Sequence, residues 1–189
     1  MATNLVTRNE CKNYLGITSI NKDGEIDNLI PQVSSLVKTY CRRTFIDYYD
    51  EMQTEYFDGG YDRFILKEGP VKQVLSVRKS ANYGQTWTTL TEYTDWVTQG
   101  DTIVPIGVKE WPVVLNGYKV EYFGGFEVLP PEIKLATLDI ISYYLKHNSA
   151  VHVNREVNSP SVTQINYISS THFPAHIKRV LDQYVADYA

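Results

Sequence analysis

An acidic run between positions 47 and 58 is the first feature of the sequence with the chemistry of a reaction site. Its members are Asp47, Asp50, Glu51, Glu55 and Asp58. Two carboxylates that flank a sugar can serve as the acid and the base or nucleophile of glycoside hydrolysis. A solvated, charge-lined surface explains the same residues without a reaction, and this is the interpretation we favour.

The histidines and cysteines offer no clear metal or thiol site. His172 and His176 have the i, i+4 spacing of two ligands on one helix, but Pro174 lies between them and is expected to start that helix. Cys11 and Cys41 fall at helical positions compatible with burial. The sequence has no CxxC pair, no phosphate-binding glycine motif and no GxSxG or HExxH motif. We therefore predict no metal, no cofactor and no enzymatic activity.

Aromatic residues are the other unusual feature, because the chain has 15 Tyr against 6 Phe and 3 Trp. A ring with a polar tip suits surfaces that are partly apolar and partly wet, such as interfaces and sugar sites. A carbohydrate platform on a sheet, or the core and rim of a barrel, would use Trp87, Trp96, Trp111, Tyr83, Tyr93, Tyr118 and Tyr122. The core is the interpretation we favour.

Length, charge and hydrophobicity exclude several classes of protein. The 189 residues carry a net charge of −4, and 43% of them are hydrophobic, which argues against disorder. The acidic balance argues weakly against a dedicated nucleic-acid binder. No apolar stretch approaches the ~18 residues that span a bilayer, and residues 1–10 lack the apolar centre of a secretory signal. We expect synthesis in a reducing cytosol.

Two helices are predicted in the first 50 residues. Thr7 and Glu10 have the spacing of a capping box, and Gly16 is the usual residue just beyond a helix end. Apolar residues recur every three or four positions from Ile26 to Cys41, which predicts an amphipathic helix. Pro31 predicts a kink in that helix or a helix start nearby.

The pattern changes to alternation between about residues 51 and 125, which predicts six or seven short strands in a small antiparallel sheet or barrel. We expect residues 55–58 and 63–66 to form one hairpin around Gly59-Gly60. Residues 113–115 and 118–123 are expected to form another, because Asn116-Gly117 between them favours a type I′ turn.

Helical periodicity returns after Pro130-Pro131, in a helix that is apolar on more than one face and therefore central. Phe173-Pro174 opens the last helix. The fold class is thus α+β: a core of about four helices from residues 1–50 and 126–189, with an inserted antiparallel β subdomain at 51–125. Within the helical part, residues 149–172 form an extended arm or loop, hereafter the arm. Its length indicates a functional segment or one ordered by a partner.

Six motifs follow one another in a distinctive order along almost the whole chain. They are Tyr14-Leu15-Gly16, Tyr40-Cys41-Arg42-Arg43-Thr44-Phe45, Val120-Glu121-Tyr122-Phe123-Gly124-Gly125-Phe126, Leu129-Pro130-Pro131-Glu132-Ile133-Lys134, Phe173-Pro174 and Val180-Leu181-Asp182-Gln183-Tyr184. Their succession resembles the head–tail connector (adaptor) proteins of tailed bacteriophages, in the subset with a β insertion between the second and third helices. Arg42 departs from the family, which often has Gly there.

The resemblance implies a virion structural protein. Such connectors form a ring of themselves, usually of twelve subunits, under the portal protein; the ring extends the DNA channel and docks the stopper or tail-completion protein. DNA passes without specific binding, no membrane takes part, and assembly takes place in the host cytoplasm. The hypothesis for the arm is contact with the portal or a neighbouring subunit through Ile165, Tyr167, Ile168 and Phe173. The acidic run, Asp47, Asp50, Glu51, Glu55 and Asp58, is assigned to the channel or the tail side.

Two other functions remain open at this point. The first is an aromatic-faced carbohydrate- or ligand-binding module built on the tryptophans and tyrosines. The second is a hydrolase that uses the acidic run.

Overall fold

The computed structural model describes residues 3–146, 153–159, 162–167 and 174–186. It confirms the predicted α+β class, with four helices and antiparallel sheets. The helices are α1 (Arg8–Leu15), α2 (Asp23–Cys41), α3 (Pro131–Lys146) and α4 (Ala175–Asp182). The strands are β1 (Gln53–Phe57), β2 (Phe64–Ile65), β3 (Val71–Lys79), β4 (Thr88–Leu90), β5 (Trp96–Gln99), β6 (Thr102–Pro105), β7 (Tyr118–Gly124), β8 (Val153–Ser159) and β9 (Val162–Tyr167).

The backbone divides into two compact units. One, the β unit, consists of residues 42–129 with Thr3 and Ala186. The other, the helical unit, consists of residues 4–41 and the described residues of 130–185. In the described part of the chain no helix is both long and apolar enough to cross a membrane.

The first helix has the ends that the sequence predicts. The Thr7 hydroxyl accepts a hydrogen bond from the Glu10 amide at 3.3 Å, and the Glu10 carboxylate accepts one from the Thr7 amide at 2.8 Å. Gly16 ends the helix in the left-handed region, with φ 65°. Lys134 on α3 reaches the same Glu10 carboxylate at 2.7 Å, and this hydrogen bond is the main reason why the pKa of Glu10 is lowered. A local cap thus also ties α1 to α3.

The helical unit is built around α3. Residues on several of its faces are buried, among them Ile133, Ala136, Ile140 and Ile141, and α3 packs against the other three helices, so the predicted central position is confirmed. Helix α2 begins at Asp23 and runs through Pro31, so of the two alternatives predicted at Pro31, a kink or a helix start, the helix start is excluded.

Both cysteines are buried in the helical unit, as predicted. Cys11 and Cys41 are each 0% exposed, and neither forms a disulfide. The Cys41 thiol donates to the carbonyl oxygen of Leu181 at 3.7 Å, and burial raises the pKa of the Cys11 thiol to about 11. These thiols therefore act as small apolar packing groups.

The β unit contains a four-stranded sheet of order β1-β7-β3-β4 and a three-stranded sheet of order β2-β6-β5. Every pairing within them is antiparallel. The core beside these sheets is aromatic: Phe64 stacks on Trp111 with ring centroids 4.5 Å apart, and Tyr118 meets both rings. Trp96, Trp111, Tyr118 and Tyr122 are all buried, so the core interpretation of these four rings is confirmed.

Both predicted hairpins are wrong. Strand β1 pairs with β7, and β2 pairs with β6. Residues 113–115 form no strand, although Asn116 has φ 47° as a tight turn requires. Long-range pairing prevails because β7, buried along most of its length, is covered on both edges by β1 and β3.

Strands β8 and β9 lie inside the arm and pair antiparallel with each other. No other described helix or strand packs extensively against this pair. A pair of strands alone is marginally stable in water, so its stability depends on further contacts.

Gly124 provides a test of the close packing in the β unit. A Cβ at this position would lie 1.9 Å from the backbone oxygen of Glu68, which cannot swing aside as a side chain can. We expect Gly124→Ala to lower the free energy of unfolding by about 3 kcal/mol. Urea unfolding followed by tryptophan fluorescence reports on this unit, because Trp87, Trp96 and Trp111 all lie in it.

Gly100→Ala is the matched control in the same unit. Its Cβ would meet nothing within 4 Å, so only the left-handed φ of 59° opposes the substitution, at a cost of about 1 kcal/mol. Equal losses for the two variants would contradict the steric explanation.

Candidate interaction surfaces and a buried acidic network

Two of the four contact residues predicted in the arm and directly after it lie outside the residues that the structure describes. Ile165 and Tyr167 lie in β9, with Ile165 opposite Glu156 and Tyr167 opposite Val153 in the neighbouring strand. Ile168 and Phe173 lie outside the described residues. Contact by these residues therefore stays a prediction.

Three members of the acidic run are engaged in specific contacts at the surface. Asp47 accepts a hydrogen bond from the Thr3 amide at 3.1 Å, and Asp50 forms an ion pair with Lys72 at 2.9 Å. Asp58 accepts from the Asn116 amide at 2.6 Å and so holds the turn before β7. Glu51 is exposed. The carboxylates of Asp47, Asp50 and Asp58 therefore help to stabilise the local structure of this surface.

Glu55 departs from the predicted acidic surface, because its exposure is only 5%. Side chains alternate along β1, so exposed Tyr56 lies on one face of the sheet and Glu55 and Phe57 on the other. The carboxylate accepts hydrogen bonds from the Tyr122 hydroxyl at 2.5 Å and from the Lys67 amide at 3.1 Å, both on Oε1. The composition of the run gave no signal of this, since the paired strand is distant in sequence.

A second buried acid belongs to the same network. The Glu68 amide donates to the Tyr122 hydroxyl at 3.0 Å, and the Glu68 carboxylate accepts from the Thr44 amide at 3.0 Å. Burial raises the pKa of both Glu55 and Glu68, and burial beside the Glu55 carboxylate raises that of Tyr122. Glu55 Oε2 has no hydrogen-bond partner among the described residues, which leaves room for a proton on that oxygen.

On the opposite face of the same sheet, hydrogen bonds and ion pairs lower the pKa of a carboxyl group, that of Glu121. Glu121 lies between Lys119, 2.7 Å away, and Arg78, 3.2 Å away, and it accepts a hydrogen bond from Ser76 at 2.7 Å. The hydrogen bond from Lys119 is the largest cause of the lowered pKa of Glu121. This outer face therefore holds ionised groups that neutralise one another. Glu121 is therefore not a free carboxylate of the kind that glycoside hydrolysis needs.

An exposed apolar patch lies where residues 59–61 meet residues 111–115. Backbone hydrogen bonds join the two segments, from Gly59 to the Val114 carbonyl and from Trp111 to the Tyr61 carbonyl. Around these bonds Tyr61, Val113 and Leu115 are 62%, 81% and 63% exposed. Exposed apolar groups on a hydrogen-bonded scaffold are typical of an interaction site.

The carbohydrate platform, the alternative to a core, does not form as one surface. Four of its rings are in the core, whereas Tyr83 and Tyr93 are exposed and Trp87 is half-buried. Trp87 and Tyr83 instead line a cavity with Tyr56, which sequence reasoning missed because Tyr56 belongs to a distant strand. In the described part of the chain no three metal-ligating side chains come together.

Comparisons with known proteins agree with this architecture. Residues 4–186 match the head completion protein family. No curated protein sequence matches the chain. The fold is similar to that of three solved structures from gene transfer agent (GTA) particles.

A chain in the neck of an empty GTA particle, computed with C6 symmetry, is 12% identical in sequence and superposes with a TM-score of 0.61. The match covers 98% of this chain and 91% of that one. The virion of a native GTA particle gives 11% identity and a TM-score of 0.60 over the same shares of both chains. The neck of a native GTA particle, computed with C12 symmetry, gives 13% identity and a TM-score of 0.54, covering 91% of this chain and 94% of that one.

The buried network makes stability depend on pH. A carboxyl whose pKa is raised on folding binds its proton more tightly in the native state, so its stabilising contribution is complete in acid and is lost as the pH rises through the raised pKa. We expect the free energy of unfolding to fall as the pH rises above 4.5, the ordinary value for Glu. Glu55→Gln, which keeps the Oε1 contacts without the buried charge, should flatten this fall; Glu68 accounts for the remainder.

Urea unfolding, followed by tryptophan fluorescence at a series of pH values above 4.5, measures this fall in the free energy of unfolding. Glu51→Gln is the control, since Glu51 is exposed in the same region. If the curves of Glu55→Gln and the wild type ran parallel, ionisation of Glu55 would not be coupled to folding.

Proposed function

The chain belongs to the head completion protein family, a structural family of the head–tail connector, and from this premise we propose that it works in the virion neck as a ring. The ring lies under the portal protein, extends the DNA channel and docks the stopper or tail. The observation that carries the proposal is the family match over residues 4–186, which spans both units of the chain.

The related particles support the ring. Two of the similar structures are GTA necks computed with C6 and C12 symmetry, and twelve subunits satisfy both. A closed ring of one chain requires that two different patches of its surface meet head to tail. The exposed apolar patch of Tyr61, Val113 and Leu115 is a surface suited to such a contact.

The charge of the chain supports passage of DNA without capture. Tight binding to DNA requires many Lys and Arg residues that neutralise phosphates, whereas this chain carries a net charge of −4. A channel lined without excess positive charge lets the duplex slide through. The role is one of assembly and passage, without a catalysed reaction.

We assign the arm to contact with a neighbouring subunit or the portal. The paired strands β8 and β9 lack extensive packing against the described helices and strands, and Ile165 and Tyr167 are the largest apolar and aromatic residues in a segment that otherwise contains polar residues and valines. Docking onto another chain supplies the missing burial.

Ring formation tests both the function and the arm. Negative-stain microscopy of the purified chain mixed with its portal protein is expected to show rings, and hydrogen exchange should show new protection of residues 153–167 in the ring. Ile165→Asp and Tyr167→Asp are expected to weaken assembly at least about tenfold, because a charge would enter an apolar contact. Asn166→Asp, between them, is the control and should assemble normally.

The possible outcomes distinguish the connector proposal from the role assigned to the arm. If the wild type forms no ring with the portal, the connector proposal is wrong. If rings form and the arm is equally protected before and after assembly, only the role of the arm is wrong.

The exposed acids Asp50 and Glu51 are assigned to the channel or the tail side. Charge reversal of both (Asp50→Lys with Glu51→Lys) should leave ring assembly intact and impair DNA retention or ejection, because cations at the channel would bind phosphates. Particle yield and DNA release in a complementation assay measure this. Glu92→Lys, at another exposed acid of the β unit, is the control. Normal release by the doubly reversed variant would refute the assignment.

A further inference from the structure

A cavity of about 360 Å³ opens on the β unit beside the turn that contains Asn116. Its lining residues are Tyr56, Tyr83, Gly84, Trp87 and Asn116. Tyr56 comes from the exposed face of β1, Trp87 and its neighbours from the loop between β3 and β4, and Asn116 from the turn before β7. Three segments distant in sequence thus meet at one concave site.

The loop that carries Tyr83 and Trp87 is held rigidly by its own polar side chains. The Ser80 hydroxyl accepts from the Gly84 amide at 2.8 Å, and the Asn82 side chain accepts from the Thr86 amide at 2.8 Å. Gly84, with φ 84°, leaves so little room that a Cβ would lie 3.2 Å from the Trp87 ring. One wall of the cavity is therefore formed before any ligand arrives.

The other walls are fixed to this loop. The Ser80 amide donates to the Gly117 carbonyl at 2.8 Å, which ties the loop to the turn that contains Asn116. Asp58 holds the Asn116 amide at 2.6 Å. The Tyr56 and Trp87 rings face each other at 54°, with centroids 6.1 Å apart. A preformed site of this kind binds without first paying a large ordering cost.

The polar groups of the cavity are free, unlike the hydroxyls of five other tyrosines in the chain. The hydroxyls of Tyr14, Tyr40, Tyr49, Tyr122 and Tyr184 each donate to a carboxylate. By contrast, in the part of the chain that the structure describes, the hydroxyls of Tyr56 and Tyr83, the indole N–H of Trp87 and the side-chain amide of Asn116 have no intramolecular hydrogen bond. Tyr56 and Tyr83 are also 57% and 75% exposed.

This donor set indicates the chemistry of the occupant. An indole N–H can only donate, and the phenol and amide groups can donate as well, so the ligand should present several acceptors beside apolar rings. No ionised side chain lines the cavity. Lys119, opposite Tyr56, is paired with Glu121, and Asp58 already accepts from the Asn116 amide, so the contacting part of the ligand should be uncharged.

We propose that the cavity binds a proline-rich segment of a partner protein in the polyproline II conformation. Such a segment has no internal hydrogen bonds, so every backbone carbonyl is a free acceptor, and proline has no N–H that would need a partner. Its pyrrolidine rings pack against aromatic walls, as in other grooves that recognise this conformation. Binding of such a segment, as proposed here, requires neither a ring nor the connector role.

The test uses the full-length chain and decaproline as the probe. Nuclear magnetic resonance resolves the indole N–H groups of the three tryptophans, of which Trp96 and Trp111 are buried and Trp87 lines the cavity. We expect decaproline to shift the Trp87 signal saturably and to leave the other two unchanged. A Gly/Ser peptide of equal length should have no effect.

Variants and a competing ligand make the test decisive. Tyr83→Ala and Trp87→Ala should weaken binding, measured by calorimetry, at least about tenfold, as truncation of a central aromatic contact does. Tyr93→Ala, which removes an equally exposed tyrosine outside the cavity, should bind like the wild type. Thermal unfolding checks that the variants are folded. No saturable shift at millimolar decaproline, or binding of a neutral trisaccharide in its place, would overturn the proposal.

Discussion

The β unit depends most on the hydrogen bonds made by the Tyr122 hydroxyl. The Tyr122 side chain is fully buried in the central strand β7, where it donates to Glu55 on β1 and accepts from the amide of Glu68 in the segment before β3. Glu68 in turn accepts from Thr44 at the start of the unit. One phenol thus links three segments distant in sequence, and the buried acids beside it are stable only with their hydrogen bonds in place.

The packing around this phenol leaves little freedom to the backbone. Gly124, two residues further along β7, approaches the carbonyl of Glu68 so closely that no side chain fits. Gly125 approaches the carbonyl of Phe45 in the same way. Close backbone contacts that require glycine therefore fix the carboxyl end of β7. At its amino end β7 joins the aromatic core, where Tyr118 contacts Phe64 and Trp111.

Two groups of tyrosine account for much of the excess of this residue. One group ties elements together through carboxylates, for example Tyr14 with Asp139 and Tyr184 with Glu132 in the helical unit. The other group, which includes Tyr56 and Tyr83, keeps its hydroxyls free at the surface. In a protein of the head–tail connector, the first group supplies rigidity and the second supplies contact area that is both apolar and polar.

Local signals in the sequence were sufficient for the helices and for the fold class. The capping box of Thr7 and Glu10, the stop at Gly16 and the apolar faces of α2 and α3 act over a few residues, so the sequence alone determined them. Tertiary structure decided which strands pair: Asn116-Gly117 predicted a hairpin, yet β7 pairs with β1 and β3. It also decided that Glu55 is buried and that Tyr56, Tyr83 and Trp87 share a cavity. The physical reason is that each of these arrangements depends on burial against residues far away in the chain, which no local pattern encodes.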